Sequence, residues 1–387
     1  MATLRVVVDQ IVGRVPGGIG RYTEELTRHL IQTAPAGCDV EGIVAAHPQE
    51  KYDQVIQRLP GLAGLFTAPL GRRELSRAWQ YGINIPVGSG MIHATSLFAP
   101  LKKHDRGHGG EQLAVTIHDV VPWTHPETLK PHGVAWHKAM AKRARKHADA
   151  IVVPTHAVAD QLGDFLDFGD RIRVIGGAVS PSLALPPDAD ERAAALDLPE
   201  RFVLSVGTLE PRKGIAALIQ AMTRPELSAA ETGDEADGIP LLIVGPDGWG
   251  DTDVATLAHD AGLPADRIRV LGFLSDRNLA VVLDRATVFA YPSLAEGFGL
   301  PMIEAFTFAT PVVHSDDPAL VEVAGGAGVI VERAEAAGYP KRLAEAIGSV
   351  LADAALADRL AVIGMDRARA FSWRDSAERV WQLHADL

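Results

Sequence analysis

Two glutamates flank the glycine-rich turn of the segment EGFGLPMIEA and are the residues of this chain best placed for chemistry. Glu296 precedes Gly297 and Gly299, and Glu304 follows within a predicted helix. The glycines let backbone N–H groups approach an anion, and the helix N-terminus adds partial positive charge toward a diphosphate. Carboxylates do not hold phosphates but accept hydrogen bonds from hydroxyls, so we assign Glu296 to a sugar and Glu304 to a ribose. The turn predicts a nucleotide-sugar site, and the simpler alternative is a surface turn with two solvated acids.

Two cations follow the predicted strand of the segment VLSVGTLEPRKG, which covers residues 203–214. Arg212 and Lys213 would lie at the carboxyl edge of a parallel sheet, where open α/β sheets receive ligands. Fixed cations at this edge would stabilise the charge that grows on a departing nucleoside diphosphate. The alternative is an ordinary strand-to-helix loop with basic surface residues.

A polar pair ends the strongly apolar strand of the segment LAVTIHDVV. His118 and Asp119 would be costly to bury there unless they are used or satisfied by partners. His118 is therefore the best single active-site candidate and could hydrogen-bond the transferred sugar, while Asp119 could orient it or the acceptor hydroxyl. A satisfied strand-end histidine is the alternative.

Several glycine-containing turns could present backbone groups to a ligand. The segment VPGGIGRYTEEL follows the first strand and opens a helix, so its glycines could approach phosphates or an acceptor. The turn GFLSD leaves a strand before a helix capped by Ser or Asp and could meet a base. Plain turn chemistry explains glycines equally well in such places. The candidates are Gly17, Gly18 and Gly20 in the first turn, Gly272, Phe273 and Leu274 in the second, and Gly245 and Trp249 in PLLIVGPDGWG.

Short β-rich runs alternate with amphipathic stretches along the whole chain, which predicts two doubly wound parallel sheets. Between them, residues 178–190 are rich in Pro, Gly and Ala and read as a hinge. We expect ligand to bind in the cleft across that hinge. The final segment FSWRDSAERVWQLHADL should form a helix with one apolar face, carrying Trp373, Ala377, Val380, Trp381 and Leu383.

Composition limits the classes of protein. The chain of 387 residues is 47% hydrophobic, which suits two or three globular domains. The lone Cys38 excludes an internal disulfide and an all-cysteine metal site, and the strand-like N-terminus predicts a cytoplasmic protein. No apolar run is long enough to cross a bilayer, so membrane contact would be peripheral. In the polar loop 102–112, His104 and His108 could bind a metal, but a solvated loop is the favoured interpretation.

The net charge of −12 is unevenly distributed. Residues 1–180 carry 20 Lys and Arg against 17 Asp and Glu, whereas residues 181–387 carry 17 against 32. The acidic total argues against nucleic-acid binding, while the basic half could face an anionic acceptor or lipid. A basic helix at 138–148 could touch anionic lipid, but a solvated helix face is the favoured interpretation. Its charges are Lys138, Lys142, Arg143, Arg145 and Lys146.

Taken together, the segments GGIGRY, TIHDVV, SVGTLEPRKG, GFLSD and EGFGLPMIEA resemble the family-four retaining glycosyltransferases with the GT-B fold. The match spans nearly the whole chain, and GTLEPRKG and EGFGLPMIEA are most similar to bacterial mannosyltransferases. The resemblance implies an α/β protein with two Rossmann-like, doubly wound parallel-sheet domains facing across a cleft. These are an acceptor-binding domain at 1–180, a nucleotide-sugar-binding domain at 181–370, and a helix at 371–387 that packs back on the first domain.

The resemblance also implies roles for single residues. Glu296 matches the donor-sugar contact and Glu304 the ribose contact. Lys213 matches the diphosphate contact, and His118 matches the active-site histidine that touches the sugar.

The loop after Glu296 matches the family loop whose backbone N–H groups meet sugar and phosphate, here Phe298, Gly299 and Leu300. Thr208 stands where many members have Arg. Either Arg212 supplies the missing charge, or the phosphate site is weaker than usual.

By resemblance, the activity is retaining transfer of a hexose that needs neither metal nor cofactor. GDP-mannose is the leading donor, with UDP- and dTDP-sugars open. The acceptor is a hydroxyl of a glycan, glycolipid or lipid-linked molecule, and the leaving diphosphate serves as base. The alternatives are a nucleotide-sugar epimerase or hydrolase on the same fold, or a non-catalytic nucleotide-sugar-binding subunit.

Overall fold

The chain forms two compact α/β units in a computed structural model that describes residues 2–13, 17–104, 110–228, 238–246 and 253–387. Unit 1 comprises Met1–Gly177 and Ser372–Leu387, and unit 2 comprises Ala178–Phe371.

Each unit is built on one parallel sheet. Within the described residues, unit 1 has a 7-stranded sheet of order β3-β2-β1-β4-β5-β6-β7, and unit 2 has a 6-stranded sheet of order β10-β9-β8-β11-β12-β13. The strands of unit 1 are β1 (Ala2–Val7), β2 (Cys38–Ala46), β3 (Gly64–Gly71), β4 (Met91–Ala94), β5 (Gln112–Thr116), β6 (Ala150–Val153) and β7 (Ile172–Val174). Those of unit 2 are β8 (Val203–Val206), β9 (Leu241–Val244), β10 (Ile268–Gly272), β11 (Val288–Tyr291), β12 (Val312–Ser315) and β13 (Val329–Val331).

Helices connect the strands, as parallel pairing requires. In unit 1 they are α1 (Gly17–Gln32), α2 (Gln49–Arg58), α3 (Arg72–Gln80), α4 (Val121–Thr124), α5 (Pro131–His147) and α6 (His156–Phe165). In unit 2 they are α7 (Ala189–Ala195), α8 (Ile215–Met222), α9 (Val254–Ala261), α10 (Asp276–Arg285), α11 (Leu300–Thr307), α12 (Pro318–Ala324), α13 (Tyr339–Ala352) and α14 (Ala354–Ala368). The last helix, α15 (Trp373–Asp386), belongs to unit 1. None of the helices in these described ranges combines the length and apolar character needed to span a bilayer.

Each sheet has one point at which the strand order reverses. In unit 1 the chain moves outward in both directions from β1 and β4, and in unit 2 from β8 and β11. Open parallel sheets bind ligands beyond the carboxyl ends of the strands at this switch point. Bound ligands are therefore expected at the loops after β1, β4 and β5 in unit 1 and at those after β8 and β11 in unit 2.

The apolar face predicted for the final helix is observed. All five of its predicted residues are buried, and α15 packs against α1. The indole Nε1 of Trp381 donates to the carbonyl oxygen of Leu30 at 3.1 Å, and Trp373 meets Tyr22 edge-on at 5.5 Å between ring centroids. Unit 1 is thus completed by the last residues of the chain.

Two polar interpretations differ from what the structure shows. His104 is not a solvated loop residue, because its side chain is 5% exposed and its Nε2 lies 2.8 Å from Asp149 Oδ2. Arg143 is not a free surface charge, because its guanidinium donates to the carbonyl of Leu101. His108 and Trp249 lie outside the described residues.

Candidate functional site

The loop after β8 is fixed against the loop after β11 by backbone geometry. Gly214 has φ 69° and sits so close to the Pro292 carbonyl oxygen that a Cβ would overlap it. The N–H of Leu294 donates to the carbonyl of Arg212 at 2.7 Å. This close approach brings the predicted cations next to the predicted glutamate at the switch point of unit 2.

Glu296 is the centre of a buried ionic cluster. Lys213 Nζ donates to its Oε1 at 2.5 Å, and the Tyr291 hydroxyl donates to the same oxygen at 2.9 Å. Arg212 Nη1 lies 3.5 Å from Glu296 Oε2, while its Nε donates to Glu210 at 3.0 Å. The side chains of Lys213 and Glu296 are only 10% and 9% exposed. Three of the predicted site residues are therefore brought into direct contact.

The electrostatics of this cluster keep Glu296 ionised. Burial alone would raise its pKa, but the charges of Lys213 and Arg212 outweigh burial and lower the pKa to about 2. Burial lowers the pKa of Lys213, and Glu296 partly offsets this. Burial and the Glu296 charge raise the pKa of Tyr291 well above its usual value, so its hydroxyl stays a donor. The cluster thus holds an ionised acceptor carboxylate in contact with Lys213 and Arg212.

The glycine-rich turn leads directly into α11. Gly299 has φ 87° as the helix N-cap, and a Cβ there would overlap Leu320. Leu300 begins the helix, and Glu304 lies one turn inside it, 2% exposed. Gly297 is buried, and the Phe298 ring packs edge-on against Phe371 at 5.5 Å between ring centroids. The turn thus aims a helix N-terminus into the loop region that carries Glu296.

A brace that sequence reasoning missed holds the Glu296 loop. Asp317 caps α12 through the N–H groups of its first turn, and its Oδ2 accepts from the backbone N–H of Glu296 at 3.4 Å. Arg333 lies 3.8 Å from the same oxygen, pairs with Asp316 at 2.6 Å and donates to the Leu294 carbonyl. Burial raises the pKa of Asp317 to about 6, against the opposing effect of Arg333. The Asp-Pro pair at the start of α12 was a readable cap signal, but its reach to Glu296 depends on β11 and β12 being neighbours.

His118 and Asp119 line an open cavity beyond the carboxyl ends of the unit 1 strands. His118 Nε2 lies 2.7 Å from the carbonyl oxygen of Thr95, and its ring meets Tyr22 edge-on at 4.8 Å. Asp119 Oδ1 accepts from the N–H of Val121 at 3.1 Å. The cavity is lined by Gln10, Ile19, Ser96, Leu97, Thr116, Ile117, His118, Asp119, Pro122, Trp123, Trp136 and His137.

The contact with Thr95 fixes the tautomer of His118. A carbonyl can only accept, so Nε2 carries the proton and Nδ1 keeps its lone pair in the neutral ring. Burial lowers the pKa of His118, with the Thr95 carbonyl and Asp119 acting in the opposite direction. The ring is therefore neutral at neutral pH and offers a hydrogen-bond acceptor.

The remaining predicted residues have clear positions. Gly17 and Gly18 are exposed in the first turn of α1, and Gly20 is buried one turn on. Thr208 is half-buried on the loop after β8. The predicted helix cap after the second turn is observed, since the Ser275 side chain accepts from the N–H of Asn278. In that turn Gly272 has φ 66° and ends β10, Phe273 is 65% exposed, and Leu274 packs against the core of unit 2.

No group of three or more His, Cys, Asp or Glu suited to a metal occurs in the described part of the chain.

The two parallel-sheet units, with ligand-binding loops expected at their switch points, are those of the GT-B fold. A crystal structure of Anabaena HepE in complex with UDP and glucose shares this fold, with a TM-score of 0.72, 17% identity and full coverage of both chains. The fold class expected from the sequence is confirmed.

Comparison of sequences gives the family. Residues 16–183 match Glycosyltransferase Family 4, and residues 188–365 match Glycosyl transferases group 1. D-inositol 3-phosphate glycosyltransferase 1 of Catenulispora acidiphila is 32% identical over 98% of this chain and 94% of its own length. O-antigen chain mannosyltransferase B of Escherichia coli is 26% identical over 92% of this chain and 93% of its own. The chain belongs to the family 4 glycosyltransferases, which confirms the resemblance.

Proposed function

We propose that this glycosyltransferase is a retaining mannosyltransferase that uses GDP-mannose and transfers to a hydroxyl of a glycan, glycolipid or lipid-linked acceptor. The observation that carries the proposal is the buried cluster of Arg212, Lys213 and Glu296 beside the α11 N-terminus. Cations and a helix N-terminus suit a diphosphate, and an ionised carboxylate suits hydroxyls.

In this proposal, unit 2 binds the donor. Lys213 and Arg212 stabilise the charge that develops on the leaving diphosphate, which a metal would otherwise do. Glu296 accepts hydrogen bonds from the sugar, and Glu304 from the ribose. The backbone N–H groups around Gly299 meet the phosphates.

Lys213 donates to Glu296, so a bound donor must share or replace that contact. The diphosphate would take over part of the Lys213 charge, and Glu296 would turn its oxygens to sugar hydroxyls. The charged groups of the cluster are therefore held in place before the donor binds, because each already has a partner of opposite sign.

In unit 1, His118 is proposed to accept a hydrogen bond from a sugar hydroxyl through Nδ1. Asp119 orients a second hydroxyl. No side chain is assigned as a covalent nucleophile. The departing diphosphate takes the proton of the incoming hydroxyl on the same face, which retains the anomeric configuration.

The names of relatives support this choice of donor and leave two acceptor classes. One relative is named an O-antigen chain mannosyltransferase, another an MMP α-(1→4)-mannosyltransferase, and a third a D-inositol 3-phosphate glycosyltransferase. UDP-sugars compete as donors, because a neighbour in fold binds UDP-glucose. Mannose is therefore the candidate donor sugar. The two candidate acceptor classes are a neutral glycan and a phosphorylated inositol.

A thermal-shift panel of GDP, UDP, dTDP, ADP and their sugars tests the donor. GDP and GDP-mannose should raise the melting temperature of the wild-type chain, because binding to the native state stabilises it. Lys213→Met should lose the shift, whereas Lys341→Met should keep it, because Lys341 is a 61% exposed lysine of unit 2. Absence of a shift with every nucleotide would refute the proposal.

Product analysis tests the reaction. NMR of the product should show the anomeric configuration of the donor, and transfer should persist in EDTA. Release of free sugar or an epimerised donor in place of transfer would favour the hydrolase or epimerase alternative. An inverted product would refute retention.

We also propose that α5 contacts anionic lipid peripherally. Lys142, Arg145 and Lys146 are exposed along this helix. The protein should sediment with vesicles that contain anionic lipid and not with neutral ones. Equal sedimentation with both would refute the proposal.

A further inference from the structure

Besides His118 and Asp119, the cavity contains Trp123, Trp136 and His137, to which the proposed donor contacts assign no role. We propose that it binds an uncharged sugar ring as the acceptor, and not a phosphorylated one. This inference rests on the proposed function and decides between the two acceptor classes left open there.

Two indole rings give the cavity an apolar surface. Trp123 and Trp136 both line it. Trp123 is held by stacking on Phe165 at 5.8 Å with planes 22° apart, and Trp136 is held edge-on by His137 at 4.8 Å. The negative face of an aromatic ring attracts the polarised C–H groups on the apolar face of a pyranose. Rigid rings of this kind bind a sugar at small entropic cost.

Histidine and carboxylate groups around these rings offer hydrogen-bond acceptors. His137 Nδ1 lies 2.8 Å from the Gly133 carbonyl, so it carries the proton and leaves Nε2 as acceptor in the neutral ring. His118 Nδ1 is a neighbouring acceptor, which the proposed function assigns to a hydroxyl of the transferred sugar. Asp119 adds carboxylate oxygens. Sugar hydroxyls are donors that match this set.

Gln10 is a further polar group of the cavity wall, and its orientation is fixed. Its Oε1 accepts from Arg72 Nη2 at 2.7 Å, and its Nε2 donates to Ser96 Oγ at 3.0 Å. Arg72 is itself paired with Asp9, which is fully buried, and stacks over Phe98 at 4.8 Å. The cation behind Gln10 therefore has its charge balanced.

Charge is what separates the two acceptor classes. Of the described residues that line the cavity, none is Lys or Arg, and Asp119 is an acidic one. Phosphate recognition needs cations or clustered N–H donors, and a nearby carboxylate repels it. A phosphorylated ring would be excluded, whereas a neutral pyranose meets aromatic faces and acceptors.

Binding can be measured without a donor, on the full chain. Saturation-transfer NMR titrations would use methyl α-mannoside and methyl α-glucoside as neutral probes, with mannose 6-phosphate and inositol 1-phosphate as charged ones. We expect saturable binding of a neutral probe and none of the charged ones. Trp123→Ala and His137→Ala should each weaken the neutral probe about tenfold. Tyr81→Ala is the matched control, because Tyr81 is a 76% exposed aromatic of unit 1 outside the cavity.

A variant that gains binding of a charged sugar tests the role of charge in the cavity, because misfolding of the variant cannot produce a gain of binding. Ile19 lines the cavity and is 39% exposed, so Ile19→Lys should add binding of mannose 6-phosphate. Binding of the charged probes to the wild type, or neutral binding that survives in the Trp123 and His137 variants, would overturn the inference. So would no binding of any sugar.

The nucleotide thermal shift is read on the same samples. If nucleotides shift the melting temperature while neutral sugars do not bind, this inference fails and the proposed donor site stands. If neutral sugars bind while nucleotides give no shift, the donor proposal fails and the cavity assignment stands as a sugar site.

Discussion

Replacing Lys213 by methionine should destabilise unit 2 and remove nucleotide binding together. The change keeps the length of the side chain but leaves Glu296, 9% exposed, without the cation 2.5 Å away. Arg212 at 3.5 Å and the Tyr291 hydroxyl at 2.9 Å remain as partners. A buried carboxylate with weaker compensation should cost stability.

The magnitude follows from the pKa of Glu296. It is lowered from 4.5 to about 2 in the folded chain, a difference worth about 3 kcal/mol of stability. Because the folded pKa is the lower one, this contribution is present above pH 4.5 and is lost as the pH falls through about 2. Breaking a buried ion pair typically costs about 3–5 kcal/mol. Since Arg212 and Tyr291 stay in place, we expect about 2–3 kcal/mol for Lys213→Met at neutral pH.

A double-mutant cycle measured by urea unfolding checks this reasoning. Glu296→Gln alone should also destabilise, because it leaves Lys213 buried with its charge unmatched. The double variant should regain much of the loss, since two neutral groups replace the pair. Lys341→Met should stay within about 0.5 kcal/mol of wild type. Losses that simply add in the double variant, or an unchanged Lys213→Met, would show that the pair is not coupled as described.

Three further changes test other parts of unit 2. Asp317→Asn should become more stable than wild type by up to about 3 kcal/mol as the pH rises from about 4 to about 7.5, because a buried acid with a pKa of about 6 costs stability once it is ionised, and asparagine still caps the helix. Melting curves at both pH values measure this, and a difference in stability that does not depend on pH would contradict it. Tyr291→Phe should cost about 1.5–3 kcal/mol, because it removes a hydrogen bond to the Glu296 carboxylate, and wild-type urea midpoints would disprove that role. Gly299→Ala should cost about 1–3 kcal/mol of stability and weaken the nucleotide thermal shift, because the φ of Gly299 is 87° and a Cβ there would overlap Leu320. Calorimetry and the thermal-shift assay measure the two effects, and an unchanged variant would show that the turn adapts.

The parts of the fold that sequence predicted are those with strong local signals. The strands in the segments LAVTIHDVV, VLSVGT and PLLIVGP were readable because buried parallel strands form continuous apolar segments. The edge strands β3 and β13 carry weaker local signals. β3 contains Pro69, which edges tolerate, and β13 is only three residues long, so neither gave a clear local pattern.

For the site, sequence found the residues that a motif marks and missed those that neighbouring strands supply. Lys213 and Glu296 stand in readable glycine turns, and the structure joins them directly. Tyr291 read as part of an apolar strand, and nothing local shows its hydroxyl reaching Glu296. No local pattern marks Trp123 and Trp136 as neighbours, since only packing shows that they line one cavity.

Unit 1 is assembled from two stretches of chain that are separated by the whole of unit 2. During synthesis the ribosome delivers α1 early and α15 only after unit 2 has emerged. Until then the surface of α1 that receives Trp381 stays uncovered, including the Leu30 carbonyl. Unit 1 therefore cannot complete its fold until the final helix has been synthesised, whereas unit 2 can finish folding earlier.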